Sequence, residues 1–140
     1  MSQRVSLAAV LAALTATLCI AACRPSLEVS RAPDLFPLPG SHQPPFCDRQ
    51  DVGGVDSLVV HVKNQGADSG PYKVVVDFGP YGQIPHMMGP LGAGLVDSFS
   101  VPIPMGCFDS DCGFTIIVAA GNIVQESDET NNEGRGSCLG

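Results

Sequence analysis

Residues 58–79 read LVVHVKNQGADSGPYKVVVDFG, and the fold class is decided there. Over residues 56–63 apolar and polar side chains alternate. Leu58, Val60 and Val62 share one face, while Ser57, His61 and Lys63 lie largely on the other. A period of two marks a strand with one buried face. Residues 72–78 repeat the pattern, with Val74, Val76 and Phe78 opposite Lys73 and Asp77. Between them, NQGADSGP at 64–71 is turn chemistry. Asn64 supplies local side-chain hydrogen bonds, and Gly66 is expected to supply a positive φ.

Working outward, the same grammar continues. Residues 34–39 (DLFPLP) read as a short first strand, which its prolines confine to a sheet edge. Residues 40–54 read as a loop. Residues 79–94 are irregular, with a short edge strand around 84–88. In that stretch Ile84, Met87, Met88 and Leu91 form an apolar cluster that reads as packing. Residues 95–103 offer Leu95, Phe99, Val101 and Ile103 inward. Residues 107–112 form a tight acidic loop. Residues 114–120 turn Phe114, Ile116 and Val118 inward. Residues 121–132 are a polar connection in which Val124 plugs the open end of the core. Residues 133–139 are a last strand weakened by glycine. Gly 16, Pro 12, no Trp and few Lys or Glu leave no demand for a long helix. The reading is all-β, with about seven short strands at sandwich spacing.

The N-terminus has a different composition. A weakly basic start is followed by an apolar run over residues 5–20, and Ile20-Ala21-Ala22-Cys23 closes it. That order is a bacterial signal peptide, residues 1–22. Its ending resembles a lipobox, in which the cysteine receives a diacylglyceryl group and becomes the first residue. Cys23 is then the lipidation site and residues 23–32 the tether, ahead of a domain at 33–140. Two alternatives are ordinary secretion and an uncleaved span, which residues 5–22 would make at the short end for a bilayer. Acyl chains contribute about 0.8 kcal/mol per buried CH₂, so two or three chains anchor without a transmembrane helix. The mature chain holds six basic and fourteen acidic residues, a net of −8. That charge argues against nucleic acid and against electrostatic attraction to anionic lipid.

Cysteine usage fits export. Cys19 leaves with the signal peptide, and Cys47, Cys107, Cys112 and Cys138 remain for disulfides. Four cysteines allow three connectivities. A zinc site is the alternative, but there is no CxxC pair and the spacings are irregular. His42, His61 and His86 are scattered without metal spacing. Ser57, His61 and Asp56, being neighbours on one strand, cannot assemble a catalytic triad. Glu126, Asp128 and Glu129, with Asp68 from a neighbouring loop, offer oxygens to calcium. The plainer reading is a solvated acidic turn that braces its loop. No cofactor is implied.

Two segments also carry a family pattern: the one at 58–79 and FTIIVAAGNIVQESDETNN at 114–132. With APDLFPLPG at 32–40 they resemble the CARDB family, the cell-adhesion-related domain found in bacteria. The motif residues are Asn64, Gly66, Glu126, Glu129, Asn131 and Asn132. A frequent Asp after the penultimate strand is replaced here by Ala119 and Ala120. The resemblance implies a seven-stranded immunoglobulin- or fibronectin-like antiparallel sandwich. In that strand order all four cysteines fall at one end, and the simplest pairing is Cys47–Cys138 with Cys107–Cys112. Asn131 and Asn132 are expected to satisfy loop amides and carbonyls that no strand pairs.

The function expected is non-enzymatic: a lipid-anchored extracytoplasmic protein of the bacterial envelope, possessing an adhesion or interaction module for a protein or glycan. The alternatives are a calcium-dependent binding module and an accessory subunit of an envelope hydrolase. The partners expected are the membrane, through the lipid, and an envelope protein or glycan, with no nucleic acid.

Overall fold

A computed structural model describes residues 32–41 and 44–140. The signal peptide, Cys23 and most of the tether, as well as His42, lie outside the described residues. Eight strands make two antiparallel sheets. They are β1 (Leu35–Leu38), β2 (Arg49–Val52), β3 (Val55–Asn64), β4 (Tyr72–Asp77), β5 (Gln83–Met88), β6 (Val96–Pro102), β7 (Cys112–Ile117) and β8 (Glu133–Cys138).

In one sheet β3 is central. β6 flanks it on one side, and β1 and β2 follow each other along the other. The second sheet runs β5-β4-β7-β8. The inward sets interleave as the alternation requires. Leu35, Leu58, Val60 and Val62 meet Val74, Val76, Ile116 and Val118, all essentially inaccessible. Phe78 and Phe114 pack tilted, with ring centroids 6.0 Å apart. Val124 is buried, as expected of a plug at the end of the core.

Several expectations need correction. The loop at 40–54 contains a strand: RQDV pairs back on VDSL across Gly53 and Gly54, both at positive φ. That is a two-residue hairpin turn, so the count is eight rather than seven. Leu95 does not face inward. It is 58% exposed in the turn before β6. The strand expected at 114–120 begins at Cys112 and ends at Ile117, where Ala119 takes φ 50°. Residues 107–112 contain a short 3-10 turn at Cys107–Asp109. Met88 and Leu91 join the core, whereas Met87 faces solvent on β5.

Gly66 is not at positive φ. Its glycine identity is set by close approach, since a Cβ there would lie 2.2 Å from the Ala32 carbonyl oxygen and 2.7 Å from the Asp34 amide nitrogen. Nor do the glycines of β8 merely weaken it. A Cβ at Gly134 would meet the Phe46 ring at 2.7 Å, and one at Gly136 the Phe114 ring at 2.6 Å. These glycines leave room for aromatic rings to close on the strand.

Strand directions sort the loops into two ends. The β2–β3, β4–β5 and β6–β7 connections and the C-terminus share one end. The residues before β1 share the other with the β3–β4, β5–β6 and β7–β8 connections. Cys47–Cys138 and Cys107–Cys112 form the two disulfides, both at or near the first end.

Candidate functional site

The motif residues converge at the end where β1 starts. Asn64, the last residue of β3, is fully buried, and its side chain makes four hydrogen bonds. Its Oδ1 accepts from the amides of Asp34 (3.1 Å) and Gly66 (3.0 Å), and its Nδ2 donates to the carbonyls of Ala67 (2.6 Å) and Leu91 (2.8 Å). One side chain thus pins the chain's entry, the β3–β4 turn and the β5–β6 loop. Two of these bonds are the local ones a turn Asn makes. The other two are tertiary.

Glu126 performs the matching task for the β7–β8 connection. Its Oε1 accepts from the Leu35 amide at 2.6 Å and its Oε2 from Asn132 Nδ2 at 2.7 Å. Asn132 Nδ2 also reaches Glu129 Oε2 at 3.2 Å, while Glu129 Oε1 accepts from the Glu126 amide. Asn131 Nδ2 donates to Asp34 Oδ1 at 2.7 Å, and Gln65 donates to Asp34 Oδ2. The expectation that these asparagine side chains serve main-chain groups is therefore corrected. Their amides serve carboxylates, and Glu126 serves the main chain. Burial pushes the Glu126 carboxyl above the usual carboxylate range. The donors from Leu35 and Asn132 oppose that shift, and the nearby Glu129 and Asp34 reinforce it.

The four calcium candidates do not converge. Asp68 accepts from the Ala93 amide, and Asp128 holds the Thr130 amide and hydroxyl. The Asp128 carboxyl is drawn below its usual range by those Thr130 bonds. Glu126 has both oxygens engaged by protein donors. Among the described residues no group of three or more His, Cys, Asp or Glu is placed to hold a metal ion. Beside this latch an open cleft of about 430 Å³ is lined by residues 117–122 with Glu129, Thr130, Asn132 and Glu133.

His61 makes contacts that the sequence did not reveal. It bridges the outer face of its sheet, with Nδ1 2.7 Å from Ser98 Oγ and Nε2 2.9 Å from Asp48 Oδ2. Ser98 sits opposite His61 because β6 pairs with β3 in that register. The Ser98 amide is committed to Asp97. Ser98, His61 and Asp48 thus tie β6, β3 and the residue before β2 together across the outer face of the sheet. Ser57 and Asp56 take no part; Asp56 pairs with Arg49.

The crystal structure of the CARDB domain of a Pyrococcus furiosus protein, in complex with di-metal ions, matches this architecture. The TM-score is 0.50 at 23% identity, over 78% of this chain and 94% of that one. This chain has the CARDB fold. At that identity the likeness is one of fold. No protein-family model and no curated protein matches the chain. On the CARDB frame the latch joins the turn after β3 to the connection before β8. These are the two places where the motif residues cluster in the sequence.

Proposed function

We propose that this protein is a lipid-anchored, extracytoplasmic binding module of the bacterial cell envelope, without catalysis of its own. Its partner is a protein or glycan of that envelope. The observation that carries the reading is the lipobox-like Ile20–Cys23 followed, nine residues later, by a sandwich with both disulfides at its far end. Oxidised cysteines belong to an exported chain. The side chains with chemistry to offer are spent on structure: Glu126 and Asn64 on the latch, His61 on a sheet brace.

Fractionation tests the anchor. Cys23→Ser should move the protein from the membrane fraction to the soluble one. A variant that stays membrane-bound and uncleaved defeats the lipid assignment. Capture by the full chain from an envelope extract tests the binding role, and catalytic turnover of the captured material defeats the non-enzymatic part.

A metal-dependent module is the second reading, since the Pyrococcus furiosus domain holds di-metal ions. The residues here do not fit it. Of the carboxylates lining the cleft, Glu129 is hydrogen-bonded at both oxygens and Glu133 pairs with Arg135; Ala119 and Ala120 add none, and the neighbouring Glu126 is also engaged at both oxygens. Added calcium should leave the melting temperature unchanged, and a clear rise would favour the metal-dependent module.

A further inference from the structure

The large apolar side chains that the described residues leave exposed gather at the two ends of the sandwich, and the most exposed of them is at the disulfide end. Five of the nine lie at the disulfide end. Met105 is 97% exposed, Leu139 62% and Tyr81 44%, and Val52 and Val55 flank the hairpin turn. A methionine so fully exposed contributes nothing to the core, and apolar surface edged by polar groups marks interaction sites. The pieces are neighbours. A methyl group at Gly106, the residue after Met105, would sit 3.6 Å from the Tyr81 ring and 3.7 Å from Asp109 Oδ2. Gly140 is closer still to the loop, where a methyl group would lie 2.8 Å from the carbonyl oxygens of Phe108 and Ser110.

Acids outnumber cations at this end, where Asp51, Asp77, Asp109 and Asp111 lie. Of the described cations near it, Arg135 lies beside Asp77 and pairs with Glu133, and Arg49 is fully engaged. Its guanidinium lies 4.0 Å from the Phe108 ring centroid, donates to the Leu139 carbonyl and pairs with Asp56. Asp109 and Asp111 make no ion pair among the described residues. The acids of the opposite end differ, because Asp34, Glu126 and Glu129 accept from side-chain amides there.

We infer that the disulfide end is a docking surface for a cationic polypeptide segment of a partner protein. The segment's apolar side chains would rest on Tyr81, Met105 and Leu139, and its Lys or Arg side chains would answer Asp109 and Asp111. The inference rests on the binding-module reading and narrows its partner from protein or glycan to protein. A neutral or acidic glycan brings no cation to Asp109 and Asp111, whereas Lys and Arg side chains do, and the apolar side chains of a peptide match Met105 and Leu139. The chain enters the sandwich at the opposite end, so an anchor there leaves this end free.

The test uses the full chain in detergent at physiological salt, with three short labelled peptides as probes. One alternates Lys and Leu, one Lys and Ser, and one Glu and Leu. The Lys–Leu peptide should bind at least about tenfold more tightly than the others. Met105→Ser and the pair Asp109→Asn with Asp111→Asn should each weaken it by about tenfold, as for truncated anchors elsewhere. Ile123→Ser, which removes an exposed apolar side chain at the other end, should leave it unchanged. No binding of the Lys–Leu peptide, or equal loss with Ile123→Ser, overturns the surface. If the full chain captures an envelope component undiminished by Met105→Ser, the binding role stands and this surface falls. If it captures nothing, the binding role falls with it.

Discussion

Glu126 and Asn132 show how much one side chain can carry at the open end of a sandwich. Removing the Asn132 amide deprives a nearly buried carboxylate of one of its donors, and a buried group left unpaired costs about 1–3 kcal/mol. Asn132→Ala should lower stability by that amount in denaturant unfolding, while the folded fraction binds its partner as before. An unchanged midpoint with lost binding would make the loop a site rather than a latch. The same carboxylate sets a pH signature. Its folded pKa lies above its unfolded one, chiefly through burial, so the native state holds the proton more tightly. Its contribution to stability is full below the unfolded pKa, near 4.3, and is lost as pH rises through the folded value. The melting temperature of the wild type relative to Glu126→Gln should therefore climb as pH falls from 7 towards 4.5. A flat difference contradicts the shift. Tyr72 titrates far from that window. Burial first, and then the nearby Asp97, push its phenol up to about 12.

At the scale of elements, the strands of residues 58–79 were legible because a two-residue period with one buried face has few other readings. Residues 49–52 were not. Arg49, Gln50, Asp51 and Val52 are all exposed, so no alternation marks them as a strand. The signal lay in Gly53-Gly54, a pair suited to a tight hairpin, between residues that the composition alone reads as loop. Leu95 was misplaced because an apolar residue before a strand looks like its first inward position. The motif residues could be located as a cluster, but not their pairings. That Glu126 reaches Leu35 and Asn131 reaches Asp34 depends on loops 91 and 97 residues apart in sequence. The cysteine pairing followed as the simplest one in the strand order that the CARDB resemblance implies. Its two staples differ in what they constrain. Cys47–Cys138 closes a separation of 91 residues and Cys107–Cys112 one of 5. The chain-entropy model assigns about 4.6 kcal/mol to the long ring and roughly 2 kcal/mol to the short one. Replacing the long-range pair by alanine should thus lower the unfolding midpoint more than replacing the short-range pair. The reverse order would place the greater constraint in the β6–β7 loop.

For the whole molecule, the decisive property is polarity along the strands. The central strand β3 has ten residues, which at about 3.3 Å each separates the two ends by roughly 33 Å. The latch holds the end where the chain enters, and the disulfides hold the other. If Cys23 carries the lipid, the ten steps from it to Pro33 reach about 33–36 Å only when fully stretched. That limit is about the length of the domain itself, and a relaxed tether is shorter, so the latch end stays the nearer one to the bilayer. The arrangement gives a measurable gradient. A fluorophore attached through Ile123→Cys, at the latch end, should be quenched strongly by a quencher placed in the lipid headgroups. One attached through Val52→Cys, at the hairpin tip, should be quenched weakly. Both side chains are about half exposed, so neither label disturbs the core. With the lipidated chain in vesicles the contrast should be plain, and with Cys23→Ser it should vanish. Equal quenching at both positions would mean that the sandwich lies flat on the membrane. In that case the outer face of one sheet, not the disulfide end, would be what a partner meets.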